Sequence, residues 1–522
     1  MSRPLGALVD RLAELGLLAA PMPPVAVGVD RVTHDSRRVA PGSLFVALPG
    51  AHADGHDHAP AAVAAGAVAL LVARPLPPLG VPQVLVRAPR PALAVAAAWI
   101  AGDPAVRLGI VGITGTDGKT TTAWLIRSVL VACGLPTGLL GTIDTVVGGR
   151  SLGNPERTTT PEAPELQERL AAMEAAGDRW AVVEATSHGL AQDRVGAIPW
   201  DVAVHTNITS EHLEFHGTLA AYRAAKRRLF TWDDPAIASV RKPWGRHAVV
   251  NLDDDAAPML TNAARGAGAT IHGYGMSAAA PIAALDVAAE GAGHRVRVRT
   301  PRWEAPVDIR LPGRFNIANA LAAIATGEAL ALDPAGIRAG IAALAAVPGR
   351  MERIDAGQPF LVVVDFAHTA ASLAKVLDEL APVAERAGGG LIACFGSAGD
   401  RDRTKRPEMG AVAAARCRSV VLTDEDARSE DPASILAEIA TGCASVGLHP
   451  GPRLRLVPDR AEGIATSIAL AGPGDVVLIA GKGHEASIER GGVRHPWSEE
   501  GAVRDALARR GWADGSGSAP VG

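Results

Sequence analysis

The sequence predicts an α/β protein whose domains contain mostly parallel sheets. Apolar, strand-like runs at 181–184, 202–205 and 248–251 alternate with helical patterns, as at 164–176 and 219–230. This alternation is typical of parallel sheets that are covered by helices. Hydrophobic residues make up 48% of the chain but aromatic residues only 3%. The cores must therefore consist of Ala, Val, Leu and Ile, which suits layers of helix and sheet.

The length of 522 residues indicates about three domains. The first is predicted over 1–104, because a new buried strand begins near Leu108. The second is predicted over 105–346 and ends at a Pro-Gly break, and the third over 347–522. The last ten residues, 513–522, are rich in Gly, Ser and Ala, and we expect them to be disordered.

Composition excludes several classes of protein. The net charge of −4 gives no overall basic field for nucleic acid. The longest apolar run, 59–73, is too short for a membrane span, and the N-terminus lacks a signal-peptide core. The four cysteines lie far apart without a CxxC pair, which fits a reducing compartment. We therefore expect a cytoplasmic protein without a nucleic-acid or membrane partner. We also predict a monomer, although nothing in the composition determines the oligomeric state.

The segment 108–122 carries the clearest functional signal, because it reads as a buried strand, a glycine-rich turn and a helix start. Gly115 and Gly118 allow backbone N–H groups to face a ligand. Those donors and the helix dipole favour phosphate. Lys119 can then reach the β- and γ-phosphates, and the Thr120 hydroxyl can bind Mg²⁺. We predict ATP binding, although the first glycine of the strict pattern is displaced by one residue and an ordinary turn is the alternative.

Two further groups of polar residues follow predicted strands. Glu184 ends a buried strand, and a carboxylate beside a phosphate loop suits Mg²⁺, although a structural strand-end role is the alternative. Histidines and carboxylates crowd the stretch 206–217, where they can serve metal, phosphate or proton transfer. A basic helix over 222–230 follows. Its composition does not show which of its lysine and arginines would contact phosphate and which only face solvent.

These motifs occur in the same order as in the Mur ligases, and the chain resembles that family. Within that family it looks most like the branch that adds a diamino acid to a UDP-muramoyl dipeptide. The resemblance covers nearly the whole chain, and its most specific parts are 35–37, 42–47 and 481–485. The other matching motifs lie at 115–121, 184–190, 206–217, 224–230, 313–319, 348–352, 364–369 and 395–407.

The resemblance implies a three-domain Mur ligase architecture, with a central P-loop-type, parallel-sheet ATPase domain and a Rossmann-like C-terminal domain. It also implies an ATP-dependent amide ligase that uses Mg²⁺ and acts in peptidoglycan precursor synthesis. A carboxylate of the acceptor becomes an acyl phosphate, which an amine then attacks. The acceptor would resemble UDP-MurNAc-L-Ala-D-Glu, and the amine would belong to a diamino acid.

The resemblance assigns roles to four sets of residues. The catalytic and metal-binding set is Lys119, Thr120, Glu184, His212 and Lys226, with Lys226 carbamylated. The ATP-binding set is Gly115, Thr116, Asp117, Gly118, Lys119, Thr120, Thr121, Asn316, Arg350, Asp365 and His368. The UDP-muropeptide set is Ser36, Arg37, Thr159, Thr160, Ser187, Gln192 and Arg194. The amino-acid set is Arg401, Glu425, Asp426, Arg428, Gly481 and Glu485.

Three departures from the family pattern stand out. Asp117 replaces the more usual Asn, and two alanines at 370 and 371 replace Pro-Asp. The selectivity motif, usually Asp-Asn-Pro-Arg in diaminopimelate-adding members, reads Glu-Asp-Ala-Arg at 425–428. Asp426 favours a ligand that ends in an ammonium, such as L-ornithine or L-lysine. Arg428 can still pair with the distal carboxylate of meso-diaminopimelate, which stays the alternative.

Other functions remain as alternatives. One is a related amino-acid ligase of the folylpolyglutamate or cyanophycin synthetase type. Another is a degenerate, non-catalytic nucleotide-binding scaffold, against which the intact Lys119, Glu184, His212 and Lys226 argue. A nucleic-acid-binding ATPase is disfavoured, because it requires a basic stripe that the sequence does not provide.

Overall fold

Short apolar strands alternate with helices along the chain in the computed structural model, so the predicted α/β class is confirmed. The structure describes residues 2–50, 53–154, 158–209, 211–290 and 293–512. The predicted disorder of 513–522 lies outside these residues. The chain divides into two compact units, one of Met1–Val287, Val296–Val307 and Ala318–Ala343, the other of Ala288–Arg295, Asp308–Ile317 and Leu344–Gly522. The three-domain division stays a prediction.

The N-terminal part of the first unit contains a small parallel sheet, in which β3, β4, β5 and β6 are neighbours in that order. Leu5, Leu8 and Leu12 bury one side of the first helix, as expected for an amphipathic segment. The strands are β1 (Arg3–Pro4), β2 (Gly28–Val29), β3 (Arg31–Thr33), β4 (Ser43–Val46), β5 (Ala67–Val72) and β6 (Gln83–Leu85). The helices are α1 (Leu5–Glu14), α2 (Ala59–Ala64), α3 (Pro89–Ala101) and α4 (Pro104–Arg107), with 3-10 turns at Ser36–Arg38 and Gly55–His58.

A larger sheet follows. Its strands are β7 (Gly109–Thr114), β8 (Thr137–Leu140), β9 (Thr145–Val147), β10 (Arg150–Ser151), β11 (Trp180–Glu184), β12 (Val202–His205), β13 (His247–Asn251), β14 (Thr270–Gly275), β15 (Ile282–Glu290), β16 (Gly293–Arg299) and β17 (Glu304–Ile309). The helices are α5 (Lys119–Ala132), α6 (Ala163–Ala175), α7 (Ser187–Ala191), α8 (Leu213–His216), α9 (Leu219–Arg227), α10 (Ala257–Gly266), α11 (Phe315–Ala329) and α12 (Pro334–Ala343), with 3-10 turns at Arg228–Phe230 and Pro235–Ile237.

The strand order places the glycine-rich turn in the middle of this sheet. Across the described residues the order is β10, β9, β8, β11, β7, β12, β13, β14, β15, β16, β17. Strand β7 is buried along its whole length and pairs in parallel with β11 on one side and β12 on the other. The turn after β7 therefore lies at the same edge as the ends of β11 and β12, where ligands bind in open α/β sheets.

The second unit contains a second, largely parallel sheet. Its strands are β18 (Glu352–Ile354), β19 (Leu361–Asp365), β20 (Leu391–Phe395), β21 (Ser419–Leu422), β22 (Leu454–Leu456) and β23 (Val476–Ala480), and a hairpin follows with β24 (Ser487–Arg490) and β25 (Val493–Pro496). The helices are α13 (Ala370–Arg386), α14 (Lys405–Arg416), α15 (Pro432–Ser445), α16 (Arg460–Leu470) and α17 (Glu499–Arg509).

In this second sheet the order is β18, β19, β23, β20, β21, β22, and only β18 runs antiparallel to its neighbour. Asp365 is in register with Ala480, and Phe395 with Leu422. Four strands thus end at one edge, and each is followed by a polar loop.

No helix among the described residues of either unit has both the length and the apolar composition to span a bilayer.

Candidate active site

The glycine-rich turn joins β7 to α5 and depends on two glycines. Gly118 precedes the first helical residue with φ +81°, a conformation that favours glycine. A Cβ at Gly118 would lie 2.4 Å from Asn319 Oδ1, and one at Gly115 would lie 1.8 Å from Thr206 Oγ1. The turn is therefore packed closely against α11 and the loop after β12. Thr120 and Thr121, at the start of α5, are buried behind it.

Two lysine amines meet at the carbonyl of Gly115. Lys119 Nζ donates to this oxygen at 2.9 Å and to Thr116 O at 2.9 Å. Lys226 Nζ, from α9, donates to the same Gly115 oxygen at 2.6 Å. Lys226 is buried, and burial lowers the pKa of its amine well below the usual value, with the charge of Lys119 acting in the same direction. The turn thus brings two lysine amines together, and the buried one, Lys226, holds its proton less tightly than an exposed lysine does.

Tyr222 and Asn207 support this arrangement, and neither was predicted as a site residue from the sequence. The buried Tyr222 hydroxyl lies 3.0 Å from Thr116 Oγ1, and its ring centroid lies 4.6 Å from Lys226 Nζ. The Asn207 side chain accepts from Asp117 N at 3.0 Å and donates to Asp117 O at 3.0 Å. The hydrogen bonds of Tyr222 to Thr116 and of Asn207 to Asp117 each join residues 90 or more positions apart, so the sequence alone does not show them.

Glu184 is fully buried at the end of β11 and accepts three hydrogen bonds. Its Oε1 accepts from Thr142 N at 2.9 Å, and its Oε2 accepts from Thr142 Oγ1 at 2.9 Å and Thr120 Oγ1 at 3.0 Å. A carboxylate and a hydroxyl next to the glycine-rich turn are hard oxygen donors of the kind that Mg²⁺ prefers. The donor set therefore fits the predicted magnesium ion. Thr142, which follows β8, is a functional candidate that sequence reasoning missed.

The same network reaches the predicted muropeptide residues. Thr142 Oγ1 lies 3.0 Å from Thr159 Oγ1, and Thr160 Oγ1 donates to Glu184 O at 2.8 Å. Arg194 donates to Thr160 O at 3.0 Å and to Gln192 Oε1 at 2.7 Å. The remaining members of the set lie elsewhere in the first unit.

Ser187 begins α7, three residues after Glu184, and its hydroxyl has no hydrogen-bond partner among the described residues. Ser36 and Arg37 form an exposed 3-10 turn near the N-terminus. There Arg37 bonds to Asp35, and this hydrogen bond is the main cause that lowers the Asp35 pKa to about 2. The role of both groups in binding the UDP-muropeptide stays a prediction.

His212 has a different setting from Glu184. It is partly exposed and left-handed (φ +55°), its Nδ1 lies 3.2 Å from Glu214 Oε1, and its ring lies 4.7 Å from that of His188. Burial, helped by His212, lowers the pKa of His188 to about 4. No three His, Cys, Asp or Glu side chains in the described parts of the chain converge as a metal site. A metal role for His212 stays a prediction.

In the second unit, three of the predicted nucleotide residues surround Phe366. Asp365 ends β19 and accepts from Met351 N and Ala367 N, both at 2.8 Å. The Arg350 guanidinium lies 4.8 Å from the Phe366 ring centroid, and the His368 ring also lies 4.8 Å from it. Asn316, the fourth, donates to Pro312 O at 2.7 Å. An aromatic ring flanked by a cation and a fixed carboxylate suits a base and a ribose.

The predicted amino-acid residues follow β20, β21 and β23 of the same unit. Glu425 is buried, and its Oε2 lies 2.7 Å from where a Cβ of Gly481 would be. Burial raises the pKa of Glu425. Arg401 lies in the exposed loop after β20, and Gly399 N in that loop donates to Asp426 O at 2.7 Å.

Two further contacts complete this edge of the second sheet. Arg428 has φ +54°, and its backbone N donates to Glu489 O at 3.0 Å. Lys482 donates to Asp426 Oδ1 at 3.0 Å and also contacts Glu485. Asp426 and Glu485 thus contact Lys482 directly, and Arg428 is linked to Asp426 through the backbone of Glu489. Glu425 lies close to Gly481, and Arg401 lies in the loop whose Gly399 bonds to Asp426.

A buried ion pair holds the two main loops of this group. Arg460 and Glu499 are both fully buried and bonded to each other. Arg460 also donates to Asp424 O at 2.8 Å and to Ala480 O at 3.0 Å. These carbonyls belong to the residues directly before Glu425 and Gly481. Arg460 therefore fixes the spacing of the loops after β21 and β23.

The Glu184 network gives a direct prediction. Glu184→Gln keeps the shape of the side chain but puts an amide where two hydroxyls and a backbone N–H now donate. We expect the Mg²⁺ concentration needed for half-maximal ATP turnover to rise about tenfold to hundredfold. We also expect the free energy of unfolding to fall by about 1–3 kcal/mol. A magnesium titration of ADP formation and a urea denaturation curve measure the two effects. Unchanged magnesium dependence would contradict the role of Glu184.

Three family models match the chain in succession: the Mur ligase family catalytic domain over 29–98, the Mur ligase middle domain over 113–327, and the Mur ligase glutamate ligase domain over 349–483. The chain is also 46% identical to the UDP-N-acetylmuramyl-tripeptide synthetase of Roseiflexus sp. (strain RS-1), over 94% of this chain and 97% of that protein. The chain belongs to the Mur ligase family. The resemblance seen in the sequence is thereby confirmed, and with it the expectation of a ligase.

Other members of the family support the same assignment. This Mur ligase is 39% identical to the UDP-N-acetylmuramoyl-L-alanyl-D-glutamate–2,6-diaminopimelate ligase of Streptomyces coelicolor, over 97% of this chain and 98% of that one. A solved diaminopimelate ligase matches with a TM-score of 0.66 and 30% identity, over 98% and 99% of the two chains. MurF from Acinetobacter baumannii, at 21% identity and a TM-score of 0.62 over 92% and 96%, shares the fold.

Proposed function

We propose that this Mur ligase joins a diamino acid to the D-glutamate carboxylate of UDP-MurNAc-L-Ala-D-Glu with ATP, as a cytoplasmic step in peptidoglycan precursor synthesis. The diamino acid is L-ornithine, L-lysine or meso-diaminopimelate. The contact that carries this proposal is the Glu184 network. Through Thr142 and Thr160 it connects the phosphate-binding turn to the predicted acceptor residues. The names of the relatives support the same acceptor.

The reaction requires control of concentrated negative charge. The acceptor carboxylate attacks the γ-phosphate and ADP leaves, and an amine then attacks the acyl phosphate and inorganic phosphate leaves. Lys119, on the glycine-rich turn, lies where it can contact the phosphates of ATP. Mg²⁺ held by Thr120 and Glu184 would neutralise phosphate charge when bound. Lys226 reaches the same turn, and a carbamate on its neutral amine would add a carboxylate-like ligand there.

The nucleotide base and ribose would contact Arg350, Asp365, His368 and Asn316, and the diamino acid would contact the loops after β21 and β23. Fixed loops favour orientation of the attacking amine, which supplies much of the rate in amide ligation. Arg460 contributes by holding the carbonyls of Asp424 and Ala480. We also propose that the protein acts as a monomer.

A ligation assay tests this function. The protein is incubated with ATP, Mg²⁺ and UDP-MurNAc-L-Ala-D-Glu, and separately with each of the three diamino acids, and products are identified by mass. We expect ligation with at least one amino acid and one ADP for each amide formed. UDP-MurNAc-L-Ala, which lacks the D-glutamate carboxylate, is the matched control and should give no product. Bound ATP without ligation of any of the three would contradict the proposal and favour the scaffold alternative.

A further inference from the structure

Lys482 is a fully buried lysine between two acidic residues of the proposed amino-acid site. Its Nζ lies 3.0 Å from Asp426 Oδ1, and it also contacts a carboxylate oxygen of Glu485. Asp426 Oδ1 accepts a second hydrogen bond, from Glu489 N at 2.7 Å. The carboxylate of Asp426 is thus already held by an ammonium and an amide of its own chain.

This pairing changes the ligand preference that Asp426 predicts. Read from the sequence, the acid at this position favours a ligand with a terminal ammonium. A buried charge that is already paired contributes little further attraction, because a second cation must compete with the first. The ammonium of Lys482 already bonds to a carboxylate oxygen of Asp426, with which a ligand's ammonium would otherwise pair.

We propose that Lys482 is a specificity-determining residue, whose ammonium neutralises Asp426 and so prevents this acid from selecting ammonium-ended amino acids. The proposal rests on the proposed function, because it concerns the amino-acid site of that reaction. The amino-acid preference can then be predicted from residue 426 only when residue 482 is also known.

Two charged groups in the same loops are left for a ligand. Glu425 is buried, and its Oε2 has no hydrogen-bond partner in the described part of the chain. Arg428 likewise has a buried Nε atom that no described residue contacts by a hydrogen bond. Asp426 and Glu485 are both paired to Lys482. The Glu425 and Arg428 atoms, rather than the acid at 426, are therefore the groups that can distinguish an ammonium from a carboxylate on the ligand.

The test compares selectivity in two backgrounds. Lys482→Met removes the charge while keeping a side chain of similar length, and the measured quantity is the ratio of kcat/KM for L-ornithine to that for meso-diaminopimelate. We expect this ratio to rise about tenfold when Asp426 is freed. In an Asp426→Asn background the same Lys482→Met change should raise the ratio less than about threefold, because the freed acid is absent.

Several outcomes overturn the inference. An equal rise in both backgrounds would show that Lys482 acts by general charge rather than through Asp426, and no rise in either background would remove its role in selectivity. The ratio does not depend on the fraction of folded protein, so partial misfolding leaves the result interpretable. Lys482→Arg keeps the charge and is expected to remain closer to the wild-type ratio than Lys482→Met.

Failure of the proposed function gives a different result. If the wild-type protein neither ligates nor binds any of the three amino acids by calorimetry, both the proposed function and the inference are wrong. If it ligates normally and Lys482→Met leaves the ratio unchanged, only the inference is wrong. Where ligation of one amino acid is too slow to follow, the ratio of dissociation constants replaces the kinetic ratio.

Discussion

Lys119→Met is expected to lower ATP turnover by about a thousandfold, the scale on which loss of a charge-stabilising donor acts. Lys119 is the first residue of α5 and lies beside the turn whose glycines allow close approach of a ligand. Its amine now bonds to the carbonyls of Gly115 and Thr116, and it has to leave at least one of them to reach a phosphate. Methionine fills similar space without the charge.

The fold should survive this change. Lys119 is only half-buried, and its loss removes two hydrogen bonds to carbonyls that solvent can partly replace. We expect the free energy of unfolding to fall by no more than about 1–3 kcal/mol. ADP formation and urea denaturation are measured together, with Lys375→Met on the exposed face of α13 as the control lysine. Full ATP turnover in Lys119→Met would contradict a phosphate-binding role for this turn.

Two elements of the candidate site were predictable from local signals. The glycines of the turn after β7 and the acid that ends β11 stand next to buried strands, and parallel strands bring such ends to one edge. The loops after β21 and β23 also follow strand ends, but their residues were predicted from the family resemblance, and Phe366 was not predicted. Periodicity and strand ends thus indicate where a site forms, although not which side chains pair within it.

The unpredicted residues depend on contacts between distant parts of the chain. Thr142 reaches Glu184 across 42 positions, and Lys482 reaches Asp426 across 56. A sequence shows the charge of Asp426 but not that another residue has already neutralised it. Strand β16 was not predicted, for a different reason. Its buried residues Val296 and Val298 alternate with arginines, and this alternation of apolar and charged residues is short and has few apolar members.

Lys226→Ala is expected to lower ligation at least about a hundredfold, the scale on which a ligand at a catalytic metal site acts. The lysine is buried on α9, and its amine reaches Gly115 O. If a carbamate on this amine binds Mg²⁺, then formate or acetate in solution should restore part of the activity of Lys226→Ala. Arg227→Ala, the exposed neighbour on the same helix, is the matched control and should retain activity.

Rescue separates two explanations for a loss of activity. A purely structural lysine gives an inactive variant that small carboxylates do not restore. A carbamylated lysine gives a variant that they do restore, and the wild-type protein should then carry an added mass of one CO₂ on the peptide that contains Lys226. Ligation by Lys226→Ala at the wild-type rate would contradict both the catalytic and the carbamate roles.

The lowered pKa of Lys226 makes a separate prediction about stability, for protein kept free of CO₂. The folded state holds this amine with a pKa well below the usual 10.5, whereas the unfolded chain restores the usual value. Between those two pKa values the unfolded state binds the extra proton, so the free energy of unfolding falls as the pH falls, by up to about 1.4 kcal/mol per pH unit. Lys226→Met has no proton to bind and should lose this component of the pH dependence. Parallel denaturation curves of the two proteins from pH 7 to 10 measure it, and identical slopes would mean that the buried amine keeps its proton in the fold.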